Sequence, residues 1–232
     1  MSRGAGTGAG RTRRSVFSCP GLLVVCRRKD MMKRSAGFIA GLALLVSLSA
    51  SLRADDAVNC FGEDIEGRIA GCTALIERRD AGVAEMSAVY AMRALAYSLK
   101  GRYATAIEDY DTAITMRPDF AVALNNRAWA YFRWGKAATG LPDVERSLQL
   151  SPTSAHSLDT RAHIRQALGE PQAALRDYTK AMFFGGARMI KLYQCGLTEA
   201  GHYTGEVDGV WRRELQNAFE TCVTDKACDP LP

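Results

Sequence analysis

The sequence predicts an all-α protein: a right-handed helical-repeat solenoid of about three helix pairs, with an N-terminal capping helix and a small helical C-terminal module. Three observations predict it. Glycines recur at a fixed interval, at Gly101, Gly135 and Gly169. Arg93, Arg127 and Arg161 keep the same interval, each followed by an alanine, Ala94, Ala128 and Ala162. Pro118 and Pro152 close the first two units, and Gly186 takes that place in the third. The units are 87–120, 121–154 and 155–188. Self-similarity at a period of about 34 residues marks stacked helix pairs.

Each unit reads as two helices. The glycine permits the positive φ of a tight turn between them, and the proline ends the second helix. Small residues at Ala106, Gly140 and Ala174 let the two helices approach closely. One pair cannot bury its apolar face alone, so the pairs stack. Pro142 lies in the second helix of the middle unit, which predicts that this helix starts late or bends.

Upstream, Ile65, Ile69, Cys72 and Ile76 make an apolar stripe at helical spacing. Segment 55–86 is therefore expected to be an N-terminal cap or a degenerate repeat that covers the open apolar end of the stack. Asp109, Asp143 and Asp177 follow the arginines of their units at one constant spacing. Arg93, Arg127 and Arg161 are expected to pair with them in a structural ladder between packed helices, because the planar guanidinium suits partly buried pairing.

Composition narrows the function. Of 232 residues, 47% are apolar and 24% charged, an ordinary globular balance that excludes a disordered polyelectrolyte, a collagen-like chain and a multi-span membrane protein. The net charge of +5 is unevenly placed. Residues 1–54 hold ten Lys/Arg and one acid, so 55–232 hold the other twenty Lys/Arg and twenty-four acids, a net −4. A mildly acidic body does not track a phosphate backbone, so no nucleic-acid partner is expected.

The basic segment reads as an export signal. Met31-Met32-Lys33-Arg34 precedes an uncharged apolar run from Ala36 to Leu52, then Arg53-Ala54 and Asp55-Asp56. A basic start, an apolar stretch and small residues near its end make a secretory signal peptide over 31–54. The competing reading is an uncleaved anchor over 36–52, and this would be the chain's one membrane contact. In both readings the body lies outside the cytoplasm, periplasmic or secreted. Residues 1–30 show no helical or strand period, and Met31 makes a more natural start.

Cysteine usage agrees with export. Five cysteines lie after the signal, and an oxidising compartment permits disulfides. Cys60 with Cys72 is the natural front pair. In the tail Cys222 is expected to join Cys228 or Cys195, with the short loop favouring Cys228. There is no CxxC and no zinc spacing, so no metal is expected.

The repeat pattern closely resembles the tetratricopeptide repeat. The best stretch is Arg93-Ala94-Leu95-Ala96-Tyr97, Gly101-Arg102-Tyr103, Ala106-Ile107, Tyr110, Ala113-Ile114 and Arg117-Pro118. The resemblance covers 87–188 and implies that one face of the first helices lines a concave groove. Leu95, Leu99, Asn125, Trp129, Phe132, Arg133, His156, Asp159 and His163 then form a peptide-binding groove, with Trp129 and Phe132 as anchors and His156, Asp159 and His163 as solvated polar residues. Tyr97, on another side of its helix, belongs to the core. Asn125-Asn126-Arg127 suggests the carboxylate clamp of chaperone-binding repeats, but Ala91 and Leu95 at the equivalent positions cannot hold a carboxylate.

Beyond the Gly185-Gly186 pair, expected to act as a hinge, the tail carries Gly201-His202-Tyr203-Thr204-Gly205-Glu206-Val207-Asp208-Gly209. This resembles the first half of a peptidoglycan-binding-like module over 189–232. Gly205 and Gly209 allow tight turns, and Asp208 closes an Asx-type turn onto Gly209.

No nucleophile elbow, phosphate loop or Ser/His/Asp context appears, so no catalytic residue and no cofactor are expected. Two readings of function follow. The first is an exported, non-catalytic scaffold that binds a protein or peptide in its groove. The second is a cell-wall factor whose tail contacts peptidoglycan while the repeats recruit a partner.

Overall fold

The computed structural model describes residues 55–79, 82–225 and 227–230. The signal-like segment 31–54, with the preceding residues 1–30, lies outside the described residues. Those described are helical with no strand among them. In chain order the helices are α1 (55–61), α2 (Ile65–Arg78), α3 (Val83–Leu99), α4 (Tyr103–Met116), α5 (Ala121–Arg133), α6 (Ala137–Leu150), α7 (Ala155–Ala167), α8 (Pro171–Glu199) and α9 (Arg213–Cys222).

Three antiparallel pairs carry the stack: α3 with α4, α5 with α6, and α7 with the first half of α8. The turns inside them sit on Gly101, Gly135 and Gly169, at φ 71°, 76° and 79°. A side chain there would strain the left-handed backbone. The second helices begin at Tyr103, Ala137 and Pro171, on the repeat register. The expected late start of the middle one is thus not found: α6 runs from Ala137 through Pro142, whose ring removes one backbone donor without ending the helix. Gly140 explains how α6 sits so close to α5. A Cβ there would lie 2.7 Å from the Ala128 carbonyl oxygen.

The ladder is bidentate in all three pairs. Arg93 Nε and Nη2 each lie 2.8 Å from the Asp109 carboxylate. Arg127 meets Asp143 at 2.7 Å twice, and Arg161 meets Asp177 at 2.8 Å twice. Each bond joins the first helix of a pair to the second. Arg165 also reaches Asp177 at 2.7 Å, and Arg127 reaches Asp111 at 2.6 Å. The Asp143 and Asp111 carboxylates overcome the cost of partial burial and raise the Arg127 pKa. That keeps the charge fixed at every accessible pH.

At the N-terminal end, α2 is capped by Asp64, which accepts from the Gly67 amide at 2.6 Å. The Cys60–Cys72 disulfide ties α1 to α2, and both cysteines are buried against Met86 and Val89 of α3. At the other end, α8 continues past the third pair. Its interior breaks at Gly186 alone (φ 60°, ψ −155°), so the helix folds in two there. The boundary expected at 188/189 therefore falls inside α8, two residues beyond the break. The second half of α8 keeps the repeat register: Gly196 stands one period after Ala162, and both are buried. The tail shares one core with the third pair, in which Tyr178, Tyr193, Leu197, Leu215 and Phe219 are fully buried. Cys222 and Cys228 close the last turn as a disulfide.

Candidate functional site

The first helices α3, α5 and α7 bring equivalent positions into rows. Leu95, Trp129, His163 and Leu197 form one row at the repeat interval, and Ala91, Asn125, Asp159 and Tyr193 form a second. Along the first row burial deepens toward the tail, whereas the second row is buried throughout. Leu95 and Trp129 are half-buried, whereas His163 and Leu197 are buried.

A groove of about 620 Å³ opens over the middle of the stack. Leu95, Val122, Asn125, Trp129, His156 and Asp159 line it. Val122 is 61% exposed and offers an apolar surface at the groove mouth. Asn125 is buried, and its Oδ1 has no hydrogen-bond partner. Such an acceptor is costly to leave unsatisfied. The Trp129 indole packs against Phe132 (5.1 Å between ring centroids) and edge-on against His163 (5.2 Å), and Arg133 lies over its face at 5.7 Å. Trp129 stays partly exposed and lines the open groove.

Other expected groove residues lie elsewhere. Leu99 is 59% exposed at the end of α3. Phe132 and His163 line a second cavity of about 730 Å³, between α7 and the C-terminal segment, with Gln166, Val223, Cys228 and Asp229. Arg133 is exposed.

His163 and Asp159 require the largest correction. Helical spacing alone makes them solvated polar residues of the groove, and the structure buries both. Asp159 keeps one edge on the groove, but its Oδ1 accepts the Tyr193 hydroxyl at 2.5 Å. His163 Nδ1 lies 2.9 Å from the Asp159 carbonyl oxygen and 3.3 Å from Oδ1, and Nε2 lies 3.1 Å from Asp229 Oδ1. Both ring nitrogens face acceptors, which only a doubly protonated imidazolium satisfies with two donors. Burial opposes the positive charge, but Asp159 and Asp229 outweigh it and raise the His163 pKa. Burial also raises the Asp159 pKa, with His163 and the Tyr193 hydroxyl pulling it partly back. His156, by contrast, is exposed. The three thus do not form a common ligand set.

The residues that lock this cluster are not evident from the sequence. Tyr193, Gln166 and Asp229 hold the tail to the third pair. Gln166 Nε2 donates to the carbonyl oxygens of Cys222 (3.2 Å) and Cys228 (2.8 Å), and its Oε1 accepts from Tyr178. Tyr193 stands one repeat period after Asp159, a usable signal, but the longer connection after Gly201 conceals that the register continues.

In the tail turn, Asp208 Oδ1 accepts from the Val210 amide at 2.9 Å, so its Asx turn closes one residue later than expected. Arg212 grips both Asp208 oxygens and holds the carboxyl well below the usual range. Gln194 completes the turn: its Oε1 accepts from the Gly209 amide at 2.8 Å, and its Nε2 donates to Asp208 and to the Val210 carbonyl. Gly205 sits on the Tyr203 ring, where a Cβ would come within 2.4 Å of the hydroxyl.

Comparison with known proteins agrees with this architecture. Residues 94–135 match the model of the TPR repeat family. The MamA RS-1 ArsTM double mutant is 10% identical and superposes with a TM-score of 0.52 over 76% of this chain and 92% of that one. The fold is a tetratricopeptide-type solenoid. The first TPR domain of human RPAP3 is 28% identical over 44% of this chain and 80% of that chain, with a TM-score of 0.43. The first TPR of Spaghetti (RPAP3), bound to the HSP90 peptide SRMEEVD, is 27% identical over the same shares, also with a TM-score of 0.43. No curated protein matches the chain.

Proposed function

We propose that this protein is an exported, non-catalytic scaffold that binds an extended or helical segment of a partner protein in the groove around Trp129. The observation that carries the reading is the groove itself: about 620 Å³ of open space with a half-buried indole, an exposed Val122 and the unpartnered Asn125 Oδ1 on one wall. An aromatic anchor beside an apolar patch supplies affinity, and a buried acceptor selects a ligand that brings an N–H donor. His156 adds a polar rim. The basic, apolar segment 31–54 and the disulfides Cys60–Cys72 and Cys222–Cys228 support export.

Peptides selected from a random display library against the full chain test the groove. They should bind the wild type and lose affinity in Val122→Glu, which places a charge on an exposed position without touching the core. Trp129→Ala should weaken the same peptides by about 2 kcal/mol or more. Peptides that bind both variants as well as the wild type would place recognition elsewhere. N-terminal sequencing of the protein from its native host tests export, and an intact segment 31–54 in a soluble cytoplasmic product rejects it.

A second reading, peptidoglycan contact by the tail, is supported by the turn at Asp208. Gln194 and Arg212 make it rigid, and Val210 and Trp211 stay about half exposed beside it. Sedimentation of the full chain with purified peptidoglycan, compared with Trp211→Ala, tests that reading.

A further inference from the structure

We propose that the solvent-facing surface of α8 around its break at Gly186 is a docking surface for an anionic lipid bilayer. Arg176, Lys180, Phe183 and Phe184 lie at helical spacing before the break, and Arg188 and Lys191 lie at the same spacing just after it. All six are exposed. Phe183 is 80% exposed, and its ring meets that of Phe184 edge-on at 5.1 Å between centroids. Large apolar side chains presented together to water on a helix face need an explanation.

Charge identifies the occupant. The body carries a net −4, yet no acidic residue occurs from Tyr178 to Thr198. Asp177, just before, is 2% exposed and bonded to Arg161 and Arg165, so it does not neutralise the surface. The two phenyl rings are thus flanked along the chain by cationic side chains, Arg176 and Lys180 before them, Arg188 and Lys191 after. Phenyl groups enter the boundary of the acyl chains while long basic side chains reach the headgroups, and anionic lipid adds attraction for each base. Neither ring carries a polar group that would specify a hydrogen-bonded partner, and a fluid interface asks for none. The surface has its phenyl rings on the second helix of the third pair and Arg188 and Lys191 on the half of α8 beyond the break, and none of these residues lines the groove. It therefore requires no change in the peptide-binding reading.

Hydroxyl-radical footprinting of the full chain tests this residue by residue. The full chain carries its own apolar segment, so overall sedimentation with vesicles would not discriminate. With vesicles of mixed phosphatidylglycerol and phosphatidylcholine, oxidation of Phe183 and Phe184 should fall severalfold. It should recover at high salt and stay unchanged with phosphatidylcholine alone. The variant Lys180→Glu/Arg188→Glu/Lys191→Glu should lose the protection while its circular dichroism remains that of the wild type, and Phe183→Ser/Phe184→Ser should lose local protection along α8. Four results overturn the proposal: no protection, equal protection by both vesicle types, protection that grows with protein concentration without lipid (a second copy), or protection by purified peptidoglycan alone.

Discussion

Gly140 and His163 are the two residues whose roles depend most on their neighbours. At Gly140 the missing Cβ lets α6 lie on the backbone of Ala128. Gly140→Ala would gain helix propensity but drive a methyl group against a carbonyl oxygen. The contact wins, and the variant should lose about 1–3 kcal/mol in urea unfolding, as overpacked cores do. His163 couples stability to pH. Its folded pKa lies above the unfolded value of about 6.5, so its stabilising contribution is complete below that pH and is lost as pH rises through the folded value. The Asp159 carboxyl, also raised, acts in the same direction, since the fold favours its protonated form. Thermal melts should therefore weaken from about pH 6 upward, and His163→Gln should flatten that slope. A wild-type profile flat across that range would remove the charged imidazolium from the account.

At the scale of elements, each helix pair is held by one Arg–Asp fork as well as by its apolar seam. Asp177 is the most demanding case, because it is buried and receives both Arg161 and Arg165. Asp177→Ala leaves Arg161 without its carboxylate and Arg165 with only the more distant Glu170, at 3.9 Å. Loss of one member of a buried pair costs about 3–5 kcal/mol. The more open Asp143→Ala should cost less, because Arg127 keeps Asp111. A double-mutant cycle of Arg161 and Asp177 measures the coupling. Coupling near zero would reduce the ladder to independent surface charges.

For the molecule as a whole, the end of the stack matters more than its middle. A solenoid leaves an apolar face open at each end, and both ends here are closed by the chain itself. The tail covers Tyr178, Tyr193 and Leu197 with α9 and Cys222. A chain ending at Glu199 should therefore lose cooperative unfolding and self-associate, as read by size-exclusion chromatography and urea titration. A truncated monomer as stable as the full chain would show the tail to be an independent module.

The repeat period alone determined the helix pairs, their turns and the Arg–Asp partners, because these depend on local spacing: φ > 0 needs glycine, and the constant Arg-to-Asp step carries one partner to the facing helix. The short reach of Cys60 to Cys72 and of Cys222 to Cys228 was readable for the same reason. The groove was legible in part. Trp129, Leu95 and Asn125 face it because helical geometry places them there. Only the tertiary structure decided the fate of His163 and Asp159, since that depends on Tyr193 and Asp229, which return from far along the chain. A long connection after Gly201 hid the continued register, and whether a polar side chain meets water or a carboxylate is set by the chain that folds over it rather than by its own helix face.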